Sequence, residues 1–455
     1  MGKYFGTDGF RGEAGVTLTA EHAFRLGRFL GRYCRHHDLD GHAMDHHRPR
    51  FVLGKDTRLS SYMLEYALAS GLAASGADPH MLHVTTTPCV SFVTAGEDFD
   101  GGIMISASHN PFGDNGIKLV NRRGEKIGDE TIAVMEDYLD STEMLPSAVG
   151  VDIGRIVDHA AGRNRYLGYL ISLAANSYKH LRIGLDCANG SAWMMGRAVF
   201  EALGARTYVI GNTPNGTNIN ENCGSTHIER LRRLVTEQGL DMGFAFDGDG
   251  DRCIAVDEKG NEVNGDHILY ILGRALKSRG ALSGDTVVST FMSNMGLIRA
   301  LEEAGIASVQ TTVGDRYVYE CMTREGYDLG GEQSGHIILR KYATTGDGLL
   351  TAIMLAEQVV ESKRTLSDLA SPVILYPQIT VNLPVTDKSA VLGHPAVKAK
   401  RDDCNRRLGK DGRLLLRASG TEPLVRVMVE AVEEQVCRAM AEEMAEAVRK
   451  TGLTS

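Results

Sequence analysis

Three times along the chain, short apolar runs rich in β-branched residues alternate with longer amphipathic stretches, and each series closes on a polar loop flanked by glycine. This alternation is the pattern of βαβ units, in which parallel strands are joined by crossover helices. The first series passes through Arg50-Phe-Val-Leu-Gly, a helix from Ser60 to Ala74, His80-Met-Leu-His-Val, a helix opened by Thr87-Pro88 and Gly101-Gly-Ile-Met-Ile-Ser, and then enters Ala107-Ser108-His109-Asn110-Pro111. The second runs from Leu181-Arg-Ile-Gly-Leu-Asp through helices around 192–203 and 227–238 to Met242-Gly-Phe-Ala-Phe and Asp247-Gly-Asp-Gly-Asp-Arg252. The third runs from Asp285-Thr-Val-Val-Ser-Thr through helices at 297–304 and 317–324 to Gly331-Glu-Gln-Ser-Gly-His336. Ligands bind beyond the carboxyl ends of parallel strands in open α/β sheets. Three similar domains, each contributing one such loop, predict a shared cleft.

After Ser371-Pro372 the pattern changes to alternating segments, Gln378-Ile-Thr-Val-Asn-Leu, Arg413-Leu-Leu-Leu-Arg and Val425-Arg-Val-Met-Val-Glu, with helices at about 390–408 and 432–451. Neighbouring strands with helices between them suggest a small α+β domain. The expected domains are 1–155, 156–260, 261–371 and 372–455, a number in keeping with 455 residues. A net charge of −9 disfavours binding to nucleic acid or to an anionic membrane surface, though a local arginine cluster can still hold a small anion. No apolar stretch reaches the length of a membrane span, and the first residues lack the apolar run of a signal peptide. Eight scattered cysteines without a Cys-x-x-Cys pair read as reduced thiols of a cytoplasmic protein.

The chemistry concentrates in the loops. In an extended segment alternate side chains share a face, so Asp247, Asp249 and Asp251 can converge. Such hard, like-charged oxygens call for a divalent cation, magnesium when a phosphate adds another ligand. Two competing readings are a plain acidic turn and an EF-hand, since Asp247, Asp249, Asp251 and Glu258 stand at loop positions one, three, five and twelve. Position six of an EF-hand requires glycine, however, and here it is Arg252. Ser106-Ala-Ser108-His109-Asn110-Pro111 reads either as a polar turn started by Asn-Pro or as a reactive loop, with Lys118 nearby as proton acceptor or phosphate contact. The chain has neither a Gly-x-Ser-x-Gly elbow nor a nucleotide P-loop. A serine here therefore exchanges phosphate more readily than acyl groups. Arg417-Ala-Ser419-Gly420-Thr421-Glu-Pro with Arg426 has the composition of a phosphate cradle, or of a turn between two strands. Glu332 and Ser334 on one face suit sugar hydroxyls. The histidines at 36, 37, 42, 46 and 47 fit no closed zinc site and read as a solvated loop.

Taken in order, Thr7-Asp-Gly-Phe-Arg11-Gly, Ser-Ala-Ser-His-Asn-Pro, Asp-Gly-Asp-Gly-Asp-Arg, Gly-Glu-Gln-Ser-Gly-His and Arg-Ala-Ser-Gly-Thr-Glu-Pro resemble the α-D-phosphohexomutase family over the whole chain. The resemblance implies three similar mixed α/β domains and a C-terminal α+β domain of the TATA-binding-protein-like kind around a central cleft. It implies an intramolecular phosphotransferase in which Ser108 is the phosphoserine and a 1,6-bisphosphate is the intermediate. It places Mg2+ on Ser108, Asp247, Asp249 and Asp251. Ser108, His109, Lys118 and Arg11 are then catalytic candidates, with Arg252, Glu332, Ser334, His336, Arg417, Ser419, Gly420, Thr421 and Arg426 binding substrate. Three aspartates and a phosphoserine outweigh the metal and leave the centre at about −3; Arg11, Lys118 and Arg252 are the expected compensation. Gln333, where the phosphomannomutase/phosphoglucomutase branch typically carries methionine, points to glucosamine 6-phosphate and glucosamine 1-phosphate as substrates, on the way to UDP-N-acetylglucosamine and the bacterial cell wall. The alternative is activity on mannose or glucose phosphates within the same family; rivals of other kinds are a phosphoserine hydrolase and a calcium-binding module at 247–258. A hexose 1,6-bisphosphate or another phosphate donor would prime Ser108, and a homodimer is compatible with the resemblance.

Overall fold

A computed structural model describes residues 3–6, 8–142, 145–419 and 423–454. By its internal contacts the chain forms two compact units, one of residues 1–292 and 304–371, the other of 293–303 and 372–455.

The larger unit is built on three sheets. In spatial order the first comprises Phe5–Gly6, Gly9–Glu13, Asp114–Asn121, Gly101–Ile105, Arg50–Lys55, Asp78–Val84 and Val157–Asp158. The last four are mutually parallel, as the alternation predicts. Because Val157–Asp158 pairs with His80 and Met81, this sheet reaches past the expected limit at 155. Its inner strands are buried on both faces, which is why Phe51-Val-Leu and Ile103-Met-Ile are continuous apolar runs. The second sheet is ordered Glu262–Val263, Cys253–Asp257, Met242–Phe246, Arg182–Asp186 and Arg206–Ile210, and the third Ala307–Thr311, Thr286–Thr290, Leu329–Gly331 and Ile337–Leu339.

One device recurs in all three sheets. The parallel strand that leads into each polar loop is followed by an antiparallel strand returning beside it. Gly101–Ile105 is matched by Asp114–Asn121, with Ile105 opposite Ile117. Met242–Phe246 is matched by Cys253–Asp257, with Phe246 opposite Cys253. Leu329–Gly331 is matched by Ile337–Leu339, with Gly331 opposite Ile337. Each loop is thereby pinned at both ends to strands of its own sheet.

The smaller unit carries an antiparallel sheet with Leu424–Ala431 between Gln378–Pro384 and Gly412–Ala418. The expected helix at 390–408 is two helices, Lys388–Gly393 and Pro395–Leu408. Pro395 starts the second because it lacks the N–H needed to continue the first. Val391, Val397, Leu414, Val427, Val429, Met440 and Met444 form this unit's core. All eight cysteines are buried thiols. His36, His42 and His46 are exposed, as a solvated loop requires, while His47 Nε2 donates to Asp100 Oδ1 at 2.8 Å. Asp38, Asp40 and His42 gather there, a carboxylate grouping not foreseen from the histidine spacing. Among the described residues no helix is long and apolar enough to cross a membrane.

Candidate active site

The three loops of the larger unit meet. Ser108 is buried, with a left-handed backbone at φ 53°. Its Oγ donates to Asp247 Oδ2 at 2.5 Å and lies 3.3 Å from His109 Nδ1. Asp247, Asp249 and Asp251 do converge, each offering an oxygen within 4.8 Å of the others. They do so in a tight turn, not in the extended segment read from the sequence: Gly250 N–H donates to the Asp247 carbonyl at 3.2 Å. The turn rests on the serine loop, since a Cβ at Gly248 would stand 2.4 Å from the Ser108 carbonyl oxygen.

Lys118, on the first sheet's return strand, points into this acidic group. Its Nζ lies 2.8 Å from Asp249 Oδ2, 3.2 Å from Asp8 Oδ2 and 3.5 Å from Asp251 Oδ2. Burial opposes its charge, but Asp249, Asp8 and Asp251 hold the ammonium well above its ordinary pKa. Burial, with the Asp251 and Asp249 charges, pushes the Asp247 carboxyl well up. One lysine therefore does not neutralise the cluster. Asp249 Oδ1 and Asp251 Oδ1 are buried without a hydrogen-bond partner among the described residues. Buried carboxylates from three side chains, two of them with an unpartnered oxygen, are the donor set of a hard divalent cation such as Mg2+. An EF-hand is excluded by the strands on either side, and Glu258 is engaged by the Ser367 amide and hydroxyl.

Several of the expected residues surround this centre. Arg11 pairs with Asp8. Arg252 Nε stands 4.0 Å from Asp251 Oδ1. His336 is buried with Nδ1 3.7 Å from Asp251 and Nε2 3.5 Å from Asp315. Burial lowers its pKa, yet Asp251, Asp315 and Glu332 raise it to about 9. His109 goes the other way: burial and the Arg252 and Arg11 charges hold it at about 4. Glu332 Oε1 accepts from the Gly314 N–H at 2.9 Å, and Ser334 is exposed.

Sequence reasoning passed over Asp8, Lys126 and Asp315. Lys126 Nζ bridges Asp8 Oδ1 at 2.9 Å and Asp315 Oδ2 at 2.7 Å, tying the first sheet to the third. A cavity of about 420 Å³ opens beside Lys118, Lys126, Asp8, Asp251 and Asp315. Asp8 lies inside a motif already singled out; Asp315 carries no local signal at all.

In the smaller unit, Arg417 and Arg426 face each other in register across the antiparallel ladder. Like charges in that position destabilise a sheet unless an anion joins them. Burial and the Arg426 charge pull the Arg417 guanidinium below its ordinary pKa. Ser419 is buried beside them, and its carbonyl accepts from Lys388 Nζ at 2.8 Å. Gly420 and Thr421 lie outside the described residues.

Fold and site together define a class, a multidomain α/β enzyme whose buried serine, carboxylates and lysine suit phosphoryl transfer. Profiles of phosphoglucomutase/phosphomannomutase α/β/α domains I, II and III and of the C-terminal domain match residues 2–145, 164–260, 264–375 and 381–447. The chain belongs to the phosphoglucomutase/phosphomannomutase family. It is 57% identical over 453 residues to the phosphoglucosamine mutase of Lachnospira eligens and 49% identical over 450 residues to that of Bacillus subtilis, with 99% of each chain covered in both cases. Its fold matches a phosphoglucomutase/phosphomannomutase family protein from Burkholderia thailandensis with a TM-score of 0.81 at 24% identity, over 99% of this chain and 98% of that one. It also matches Aspergillus fumigatus N-acetylphosphoglucosamine mutase, solved with GlcNAc-6P and magnesium, with a TM-score of 0.69 at 18% identity, over 99% and 96%.

Proposed function

We propose that the chain is a phosphoglucosamine mutase, interconverting glucosamine 6-phosphate and glucosamine 1-phosphate through a phosphoserine at Ser108 and a 1,6-bisphosphate. The observation that carries the reading is the Ser108 hydroxyl, buried at the tip of its loop and aimed at the three-aspartate turn, 2.5 Å from Asp247. Full-length identity of 57% and 49% to proteins of that name supports the choice of sugar.

In the forward direction the phosphoryl group on Ser108 passes to O1 of glucosamine 6-phosphate; the P–Oγ bond breaks, a P–O1 bond forms, and a proton lost by O1 is matched by one gained at Oγ. The bisphosphate then presents its 6-phosphate; the P–O6 bond breaks, a P–Oγ bond re-forms, and a proton lost by Oγ is matched by one gained at O6. Asp247, Asp249 and Asp251 would hold Mg2+, which when bound offsets phosphoryl charge. Lys118 and Arg252 supply fixed positive charge where charge builds up, the main protein contribution to this chemistry. His109, 3.3 Å from Oγ, is placed to hold a proton at that oxygen. Arg11, through Asp8, adds a further cation beside Lys118. Glu332, Ser334 and His336 are assigned to the sugar, and Arg417, Ser419, Gly420, Thr421 and Arg426 to the phosphate that is not reacting. A hexose 1,6-bisphosphate primes the serine. We place the enzyme in the cytoplasm and divide it into four domains near 155, 260 and 372, with the first limit moved beyond Asp158.

The test is a coupled assay on glucosamine 6-phosphate after priming with glucose 1,6-bisphosphate, beside the glucose and mannose phosphates. The wild type should turn over glucosamine 6-phosphate fastest and carry one phosphate by intact mass; Ser108→Ala should lose both. Retained turnover in Ser108→Ala would end the phosphoserine scheme. A faster rate on mannose or glucose phosphate would move the chain to the sister activity, and stoichiometric release of inorganic phosphate would make it a hydrolase.

A further inference from the structure

Serine seldom adopts left-handed backbone, which is left mostly to glycine, asparagine and aspartate. At Ser108 (φ 53°) something must hold it there. The Ser108 N–H donates to Ser106 Oγ at 3.0 Å. The Ser108 carbonyl accepts from Arg58 Nη2 at 3.2 Å and from Asn220 Nδ2 at 2.9 Å. Two residues on, the Asn110 carbonyl accepts from the same two groups, Arg58 Nη2 at 2.6 Å and Asn220 Nδ2 at 3.0 Å. One guanidinium nitrogen and one amide nitrogen thus grip both carbonyls that flank the turn.

The two donors come from different sheets. Arg58 follows the first sheet's strand Arg50–Lys55, and Asn220 lies in the segment after the second sheet's strand Arg206–Ile210. Neither is placed casually. Arg58 is wholly buried, and Asp56, also wholly buried, takes its charge. Asp56 in turn accepts from the hydroxyls of Ser61 and Ser106, both at 2.6 Å. Asn220 has a left-handed backbone (φ 59°), and its N–H donates to the Ala188 carbonyl at 2.9 Å. The metal turn closes the third side, for a Cβ at Gly248 would stand 3.0 Å from Asn220 Nδ2.

We infer that Arg58 and Asn220 are positioning residues for phosphoryl transfer: together they lock the Ser108 backbone in its left-handed form and so aim Oγ at the aspartate turn. Neither touches a reacting atom. Their grip is on main-chain carbonyls, so it is the same whether Oγ is free or phosphorylated, as a carrier used twice per cycle needs. The inference rests on Ser108 being the phosphorylated residue.

Asn220→Gly tests it. Glycine adopts positive φ freely, so this variant keeps the local backbone and loses only the two side-chain donor contacts. The first readout is the rate at which glucose 1,6-bisphosphate phosphorylates Ser108, followed by intact mass, which does not depend on the identity of the sugar substrate. The second is steady-state turnover with its KM, beside the melting temperature. We expect both rates to fall by roughly 30- to 100-fold, the effect of a nucleophile displaced by about 1 Å, with KM within twofold and melting little changed. Asn220→Asp, which turns a carboxylate oxygen toward the two carbonyls, should lose more; Asn220→Gln, which keeps the donor on a longer stem, should recover part. A structural role alone would move melting and leave kcat. Wild-type rates in Asn220→Gly would overturn the inference. Absence of any phosphate on wild-type Ser108 would instead remove the reading beneath it.

Discussion

Lys118 sits where a cation is needed whether or not a metal is bound, so replacing it by methionine should uncouple the protein's own charge from the metal's. In the wild type, Nζ serves Asp8, Asp249 and Asp251 at 2.8 to 3.5 Å, and the side chain is only 7% exposed. Removing one partner of a buried ion pair costs about 3–5 kcal/mol, because the other charge is left uncompensated. The larger unit has about 360 residues, and at about 2.1 cal/mol/K per residue its unfolding entropy is about 0.75 kcal/mol/K. The variant should then melt about 4–7 °C below the wild type in chelator. Magnesium at a hundredfold over its Kd adds about 2.7 kcal/mol, which returns about 3.5 °C to the variant. The wild type should gain less, since the ammonium already stands against Asp249. Differential scanning calorimetry of both proteins, with chelator and with Mg2+, reads all four values. Equal melting in chelator, or equal shifts with Mg2+, would refute the argument. With saturating Mg2+ the variant should still lose kcat more than it gains KM, because the charge is needed most as the phosphoryl group moves.

Asp347 caps the helix Gly348–Ser362 by accepting from the Leu350 N–H at 3.0 Å, and the Tyr166 hydroxyl donates to it at 2.7 Å. Burial raises its carboxyl to about 6, despite the donors around it. A raised acid favours folding below its unfolded pKa near 4, and that contribution is lost as pH rises through 6, a difference of about 3 kcal/mol. Asp347→Asn should therefore gain about 3 °C on the wild type between pH 4 and pH 7.5, where about 2.4 kcal/mol of that difference falls, read by melting at both; a constant gap would contradict the assignment. Arg417→Lys keeps the charge but loses the planar fork. It should raise KM roughly tenfold, the worth of one charge-assisted hydrogen bond, and release more 1,6-bisphosphate per turnover. Unchanged KM and leakage would show that the Arg417–Arg426 pair does not hold the phosphate.

The parallel strands were legible in the sequence because they are continuous apolar runs with a helix between each pair. The returning strand Ile337–Leu339 was not: it is three residues long and wholly buried, too short to show a period of its own after the motif. Likewise, the convergence of Asp247, Asp249 and Asp251 was visible from their spacing, whereas the turn that produces it depends on Gly250 and on the serine loop beneath. Ser108 was legible as a candidate for phosphoryl transfer, but its burial was not, since that comes from another sheet's loop. Asp315 and Asn220 gain their meaning from partners 189 and 112 residues away, Lys126 and Ser108. No window on the chain contains such a pair. Arg58 was within reach of the rule already applied, for it too lies just past the carboxyl end of a parallel strand.

If Ser108 carries the phosphate as proposed, its backbone also decides which amino acid can do so. Threonine offers an alcohol that takes up phosphate as serine does. Its branched β-carbon, however, makes a positive φ a steric outlier. A threonine here would keep the reagent and abandon the geometry, relaxing toward right-handed or extended backbone and swinging its oxygen off target. The carrier's identity is thus selected by torsion angle before reactivity enters, and a codon one base from serine's can be closed to this position on conformational grounds alone.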